Sequence, residues 1–105
     1  MKASRRKALE KRGWVFGDAK DLLKLTDEEA ALIELKLDLA ESLRTLRKKS
    51  GLSQVQAAKM LQSSQSRVAK MEAADPSVSI ELLLRALLRL GATRRQLGHV
   101  IARAA

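Results

Sequence analysis

From Asp27 to Ser50 the chain contains neither glycine nor proline, and Leu32, Leu35, Leu39, Leu43 and Leu46 recur at steps of three and four. That period predicts a long helix with one buried stripe. Ile33, Leu37 and Ala40 lie beside the stripe and widen the apolar face in the first half only, so the N-terminal half is expected to pack on two sides. Thr26-Asp27-Glu28-Glu29 reads as a capping box, the Thr26 oxygen accepting from the Glu29 amide and the Glu29 carboxylate reaching back to the Thr26 amide. Acidic residues crowd the start of this helix and Arg44, Arg47, Lys48 and Lys49 its end, which complements the helix dipole, and Gly51 stops it.

The rest of the chain is too short for a second core. A chain of 105 residues suits one domain, which hides roughly two thirds of its unfolded surface on folding. Aromatic residues are only 2% (Trp14 and Phe16), and Leu and Ala supply most of the apolar mass, a mixture that favours helices over sheets. With no cysteine and a single histidine, His99, a disulfide scaffold, a thiol nucleophile, a Cys-ligated zinc site and a His-paired dyad are excluded or nearly so. No catalytic residue, metal site or cofactor is expected, since Asp27, Glu28 and Glu29 are explained by capping.

Three further short helices and a fourth, opened by the Thr93 box, obey the same punctuation. Ser53 caps a helix through Leu61, a tight turn spans Gln62 to Ser64, and Gln65 begins a helix to about Ala73, where Asp75-Pro76 breaks the chain. Ser79 caps the next, with Glu81, Arg85 and Arg89 on its wet face and Leu83, Leu84, Leu87 and Leu88 on its dry one. Gly91 ends it. Thr93-Arg94-Arg95-Gln96 is another capping box and opens a last helix with Leu97, Val100 and Ile101 on one side. The apolar surplus at Ile33, Leu37 and Ala40, together with Leu97, Val100 and Ile101, is expected to need a partner surface, most simply a second copy of the chain.

Residues 1–12 are too polar to contribute a core. Gly13-Trp14-Val15-Phe16-Gly17 reads as an extended segment lying on something, its aromatics serving either as core cover or as anchors for a partner, and Asp18 is placed to cap a short helix through Leu23. The expected division is a basic N-terminal extension over 1–25 and a helical domain over 26–105. No apolar run reaches the length of a membrane span, and the N-terminus lacks the apolar stretch of a secretory signal, so a cytoplasmic protein is expected.

The net charge of +9 is unevenly spread: residues 1–17 carry +5, residues 18–41 carry −5 and residues 42–105 carry +9. The basic C-terminal two thirds suits a polyanion such as nucleic acid, and the acidic band suits solvent or a basic protein. Two short helices joined by a three-residue turn in such a chain are a helix-turn-helix candidate. Ala57 and Ala58 permit a close crossing, Leu61, Val68 and Met71 face inward, and Met60 also sits at core spacing. Gln65, Ser66 and Lys70 are then left on the outer face of the second short helix, where side chains reach base edges in a major groove. Gln54 and Ser64 stand at the two helix starts, where amides and short polar groups hold phosphates.

The run from Leu52 to Leu61, followed by Ser64-Gln65-Ser66-Arg67-Val68 and Met71-Glu72, resembles the phage-repressor (Xre) helix-turn-helix family over residues 43–90. With Gly13-Trp14 and Thr26 to Glu29 before it and Asp75 to Ser79 leading into a Leu-rich helix after it, the wider run is similar to the branch that includes HigA-type antitoxins. The resemblance implies base reading by Gln65, Ser66 and Lys70, phosphate contacts by Gln54, Ser64 and Arg67, and a fold-closing pair between Arg47 and Glu72. Three positions depart from the family pattern. Gln62 replaces the turn glycine, so either a non-glycine residue turns left-handed or the turn differs. Ser63 replaces an apolar residue and leaves the turn less well anchored, and Ala73-Ala74 replaces the glycine after Glu72.

The expected protein is therefore all-α, a compact lambda-repressor-like helix-turn-helix bundle of about five helices with an N-terminal extension. The resemblance implies a homodimer on operator DNA, repressing its own operon and neutralising a small basic toxin of the HigB or RelE type, with no membrane association. A free-standing Xre regulator and a coactivator-like adaptor that bridges proteins are the alternatives.

Overall fold

The computed structural model describes residues 25–102, within which all regular structure is helical. The elements are α1 (Asp27–Lys49), α2 (Gln54–Met60), α3 (Gln65–Glu72), α4 (Ile80–Arg89) and α5 (Arg94–Ala102). The basic extension with Trp14 and Phe16, and the short helix expected after Asp18, lie outside the described residues.

Short polar side chains start these helices. The hydroxyls of Thr26, Ser53, Ser64, Ser79 and Thr93 each accept from the backbone amide three residues on. At Ser53 and Thr93 the box is closed, because Gln56 and Gln96 each accept in return from the backbone amide of the capping residue.

The helix ends are equally regular, and two of them bear strain. After α1, α2, α3 and α4 the backbone passes through a left-handed residue at Gly51 (φ 73°), Gln62 (φ 53°), Ala74 (φ 53°) and Gly91 (φ 104°). Each end closes with the same paired bonds: for α2 the Gln62 amide donates to the Lys59 carbonyl and the Ser63 amide to the Ala58 carbonyl. The turn thus keeps the glycine-type geometry without the glycine, at a cost of about 1–2 kcal/mol per residue. Gln62 is exposed, so Gln62→Gly should relieve that strain and raise stability by about 1 kcal/mol, after allowing for the greater freedom of glycine in the unfolded chain. The melting temperature should rise by roughly 4–8 °C in differential scanning calorimetry. Ala74 is buried, so Ala74→Gly should gain much less, since the lost methyl contact offsets the relief.

The core forms where α1 packs along α4, with α3 and α5 closing its sides. Leu39, Leu43, Met71 and Leu83 are its fully buried large side chains. This arrangement corrects the expected faces of α1. Leu32 is 54% exposed, whereas Leu37 and Ala40 lie at 4% and 0% inside the protomer's own core. The stripe read from leucine spacing holds at Leu35, Leu39, Leu43 and Leu46, and packing against α4 widens the buried face to Leu37 and Ala40 while leaving Leu32 outside it. Leu37 and Ala40 therefore offer no surplus to a partner, and neither does Leu97, which is buried. Leu88 and Met60, both expected on core faces, are exposed, as is Ile101, with Val100 half-buried.

Between α3 and α4 a short turn is fastened from inside. Lys36, buried on α1, donates through Nζ to the Pro76 carbonyl at 3.2 Å; burial lowers its pKa, and nearby Asp75 opposes that change. The Asp75 carboxylate accepts from the Ser77 hydroxyl at 2.6 Å and the Ser77 amide at 2.9 Å. These bonds, the hydroxyl's first, hold its pKa below the ordinary value, with nearby Lys70 and Lys36 adding to the effect. A carboxylate depressed in the fold stabilises it above the unfolded pKa, and that contribution fades as the pH falls through the folded value. Asp75→Asn should accordingly be less stable than the parent at pH 7. The gap should shrink steadily below about pH 5 in urea melts.

Candidate nucleic-acid interface

The two short helices α2 and α3 make a small core of their own. Ala57, Ala58 and Val68 are buried against one another with Leu61 half-buried beside them, so the helices approach closely through alanine methyls. The turn at Leu61 to Ser64 reverses the chain in three non-helical residues after the α2 cap, and α3 emerges with its outer face in solvent. Gln65, Ser66, Arg67 and Lys70 are all exposed on it.

The angle of α3 is set from behind by a buried ion pair. Arg47, in the last turn of α1, donates from Nε to Glu72 Oε2 at 2.5 Å and from Nη2 to Glu72 Oε1 at 2.9 Å, a two-pronged contact with the last residue of α3. Both side chains are about nine-tenths buried. Arg47 Nη1 also donates to the Leu52 carbonyl at 2.9 Å, which ties the loop before α2 to the same point. Bonding to Glu72 raises the Arg47 pKa further above its ordinary value, outweighing the effect of burial.

The network continues outward to the surface. Gln54 Nε2 donates to Glu72 Oε1 at 3.3 Å, and Gln54 Oε1 accepts from Gln65 Nε2 at 2.7 Å. The side chain at the start of α3 is thus held through Gln54 to the pair that holds α3 itself. Gln65 keeps one amide N–H and its carbonyl oxygen for a ligand. Gln54 and Gln65 both stand at the first position of a helix, and the crossing of α2 and α3 brings their side chains within bonding distance; the sequence spacing alone shows no bond between them.

The remaining candidates gather on one shallow groove. Ser64, Ser66, Arg67 and Lys70 line a depression of about 210 Å³, closed on its far side by Ser77 and Val78 of the turn before α4. The Ser64 hydroxyl lies 3.2 Å from that of Ser66 while it caps α3. No sequence pattern singles out Ser77, because its place beside α3 depends on the fold of the Asp75-Pro76 turn. Trp14 and Phe16 lie outside the described residues. Among those residues no group of three or more His, Cys, Asp or Glu is placed to hold a metal ion, and no helix is long and apolar enough to cross a membrane.

Residues 38–100, more than half of the chain, match the family model described as helix-turn-helix domain. The chain belongs to that family. The matched span runs from the middle of α1 into α5, so it takes in the crossing, the buried pair and the outer face of α3. As a helix-turn-helix protein it is a DNA-binding protein, with transcription regulation as its class of function. No curated protein and no solved structure matches the chain.

Proposed function

We propose that this helix-turn-helix protein is a sequence-specific transcriptional repressor that binds operator DNA as a homodimer. The observation that carries the reading is the connected set from Arg47 through Glu72 and Gln54 to Gln65, which fixes both the angle of α3 and the side chain at its exposed start. A helix held in this way presents Gln65, Ser66 and Lys70 to base edges, while Gln54, Ser64 and Arg67 flank them as phosphate contacts. One short recognition helix offers few base contacts, and pairing two of them over half-sites about 34 Å apart supplies the rest. Exposed Leu88 and Ile101, with half-buried Val100, are apolar groups available to such a pairing. Binding to the DNA upstream of its own gene, measured by fluorescence anisotropy with sedimentation of the complex, tests this: two protomers per palindromic site is the expected result. A coactivator-like adaptor would bind no DNA sequence selectively.

The narrower reading is an antitoxin of the HigB or RelE type that represses its own operon. What supports it is the separation of charge. Asp27, Glu28, Glu29 and Glu41 are exposed on α1, whereas the exposed part of α3 is cationic. A toxin that cuts RNA is itself basic, so an acidic inhibitor surface apart from the DNA face lets one molecule hold both partners. Trp14 and Phe16, which precede the acidic band in the sequence, would supply apolar anchors. A toxin encoded by the adjoining gene should bind the full chain in a calorimetric titration, and a chain beginning near Asp27 should lose most of that affinity while keeping operator binding. Trp14→Ala should show part of the same loss. Equal toxin affinities would place the toxin site elsewhere; no toxin binding by the full chain would leave a free-standing regulator.

A further inference from the structure

Behind the groove of α3, the turn between α2 and α3 and the outer side of α4 enclose a cleft of about 300 Å³. Every charged residue in its lining is an arginine: Arg67 from α3, and Arg85 and Arg89 from α4. Leu82 and Met71 give it an apolar floor. Ser63, in its wall, carries a hydroxyl that is buried with no hydrogen-bond partner. The guanidinium of Arg67 has no partner among the described residues, and Arg89 uses only Nε, donating to the Met60 carbonyl at 3.3 Å. Arg85 donates from Nε and Nη2 to Glu81 Oε1 at 3.2 and 2.9 Å. That pair is about three-quarters exposed, and Glu81 lies outside the cleft's lining. An exposed pair of this kind is weakly held, so it leaves Arg85 available to a stronger anion.

We infer that this cleft is a phosphate-binding site. Three arginines from two helices line one space beside the unsatisfied Ser63 hydroxyl, and an anion there would relieve their like charge. A phosphoryl group carries its charge on tetrahedrally placed oxygens, two free in a backbone diester and three in a monoester, and so can meet guanidinium groups arriving from two helices together with a hydroxyl. The volume admits a phosphoryl group with part of the body that carries it. The site shares only Arg67 with the groove of Ser64, Ser66 and Lys70, and it stands on its own geometry rather than on the repressor reading. Its phosphate comes either from a nucleic-acid strand leaving the α3 face past Arg67 or from a free phosphorylated small molecule.

Inorganic phosphate titrated into the full chain at constant ionic strength, with chloride as the balancing anion, should shift the amide resonances of Ser63, Arg85 and Arg89 in a saturable way. Arg85→Ala with Arg89→Ala should weaken phosphate at least about tenfold. Ser63→Leu, which puts a side chain into the space, should do the same, and Arg94→Ala, which removes an exposed cation of α5 outside the cleft, should leave phosphate affinity unchanged. Absence of saturation, equal affinity in the double arginine variant, or shifts confined to residues 64–66 would overturn the site. Both arginines are exposed, so their variant remains a fair test even if Ser63→Leu repacks the turn. The source is then read from duplex DNA. A fall of about 2 in the slope of log affinity against log salt in the double variant assigns the site to backbone phosphate. An unchanged slope, with phosphate binding intact in the parent, assigns it to a free phosphorylated ligand.

Discussion

Replacing Glu72 by alanine should cost about 3–5 kcal/mol of stability. The carboxylate accepts from Arg47 Nε, Arg47 Nη2 and Gln54 Nε2, and its removal strands the Arg47 guanidinium at 9% exposure. The two-pronged contact offsets the desolvation of that charge; without it the penalty stands alone. Arg47→Ala should be costly for the mirror reason, and it also releases the Leu52 carbonyl. Combining Arg47→Met with Glu72→Leu should cost far less, because similarly sized apolar residues fill the space without a stranded charge. Urea denaturation of the parent and these three variants, followed by circular dichroism, measures the differences. A Glu72→Ala protein that melts within a degree of the parent would mean the pair contributes nothing to closing α3 on α1. The double variant carries a second expectation: it should be stable yet bind DNA less selectively, since Gln54 loses the acceptor that orients it.

Gln65→Ala should relax base preference at particular operator positions by about 1–3 kcal/mol. The free N–H and carbonyl of its amide match the paired donor and acceptor on an adenine edge, so adenine is the expected preference there. Arg67→Ala should weaken all sequences alike and lower the salt slope by about 1, as loss of a phosphate contact does. Gln54 stands between these cases. Its own phosphate contact would be lost without regard to sequence, but its side chain also accepts from Gln65 Nε2, so Gln54→Ala should also loosen the preference set by Gln65. A double-mutant cycle on the two glutamines should show a coupling of about 0.5–3 kcal/mol against the preferred site and little against random DNA. Anisotropy titrations over a panel of single-base operator variants provide all four corners. Unchanged base preference in Gln65→Ala would move the reading residue elsewhere on α3.

Much of the architecture is local in origin and legible from the chain alone. Ser53, Ser64, Ser79 and Thr93 start helices because their hydroxyls reach amides only three residues away, and Gly51 and Gly91 stop them because glycine turns left-handed at little cost. The three-residue turn between two short helices, with alanines at the crossing, is likewise a matter of spacing. Period and caps determine where helices lie, since they act over one or two turns of chain.

Which face of a helix meets the core is a different matter, because it depends on the neighbour. Leu32 continues the leucine spacing of α1 yet faces solvent, and Leu37 and Ala40 lie in the core, because α4 covers one side of α1 and not the other. The left-handed turns at Gln62 and Ala74 run against local preference, and the tertiary packing of α2 and α3 imposes them. So too with the polar contacts between elements distant in sequence: the Gln54 to Gln65 bond and the gathering of Arg67, Arg85 and Arg89 on one cleft arise from crossing angles, to which no local spacing is sensitive. The sequence by itself determined the helices and the turn that makes them a helix-turn-helix; tertiary structure decided which side chains those helices bring within reach of one another, because that distance is set by packing rather than by position along the chain.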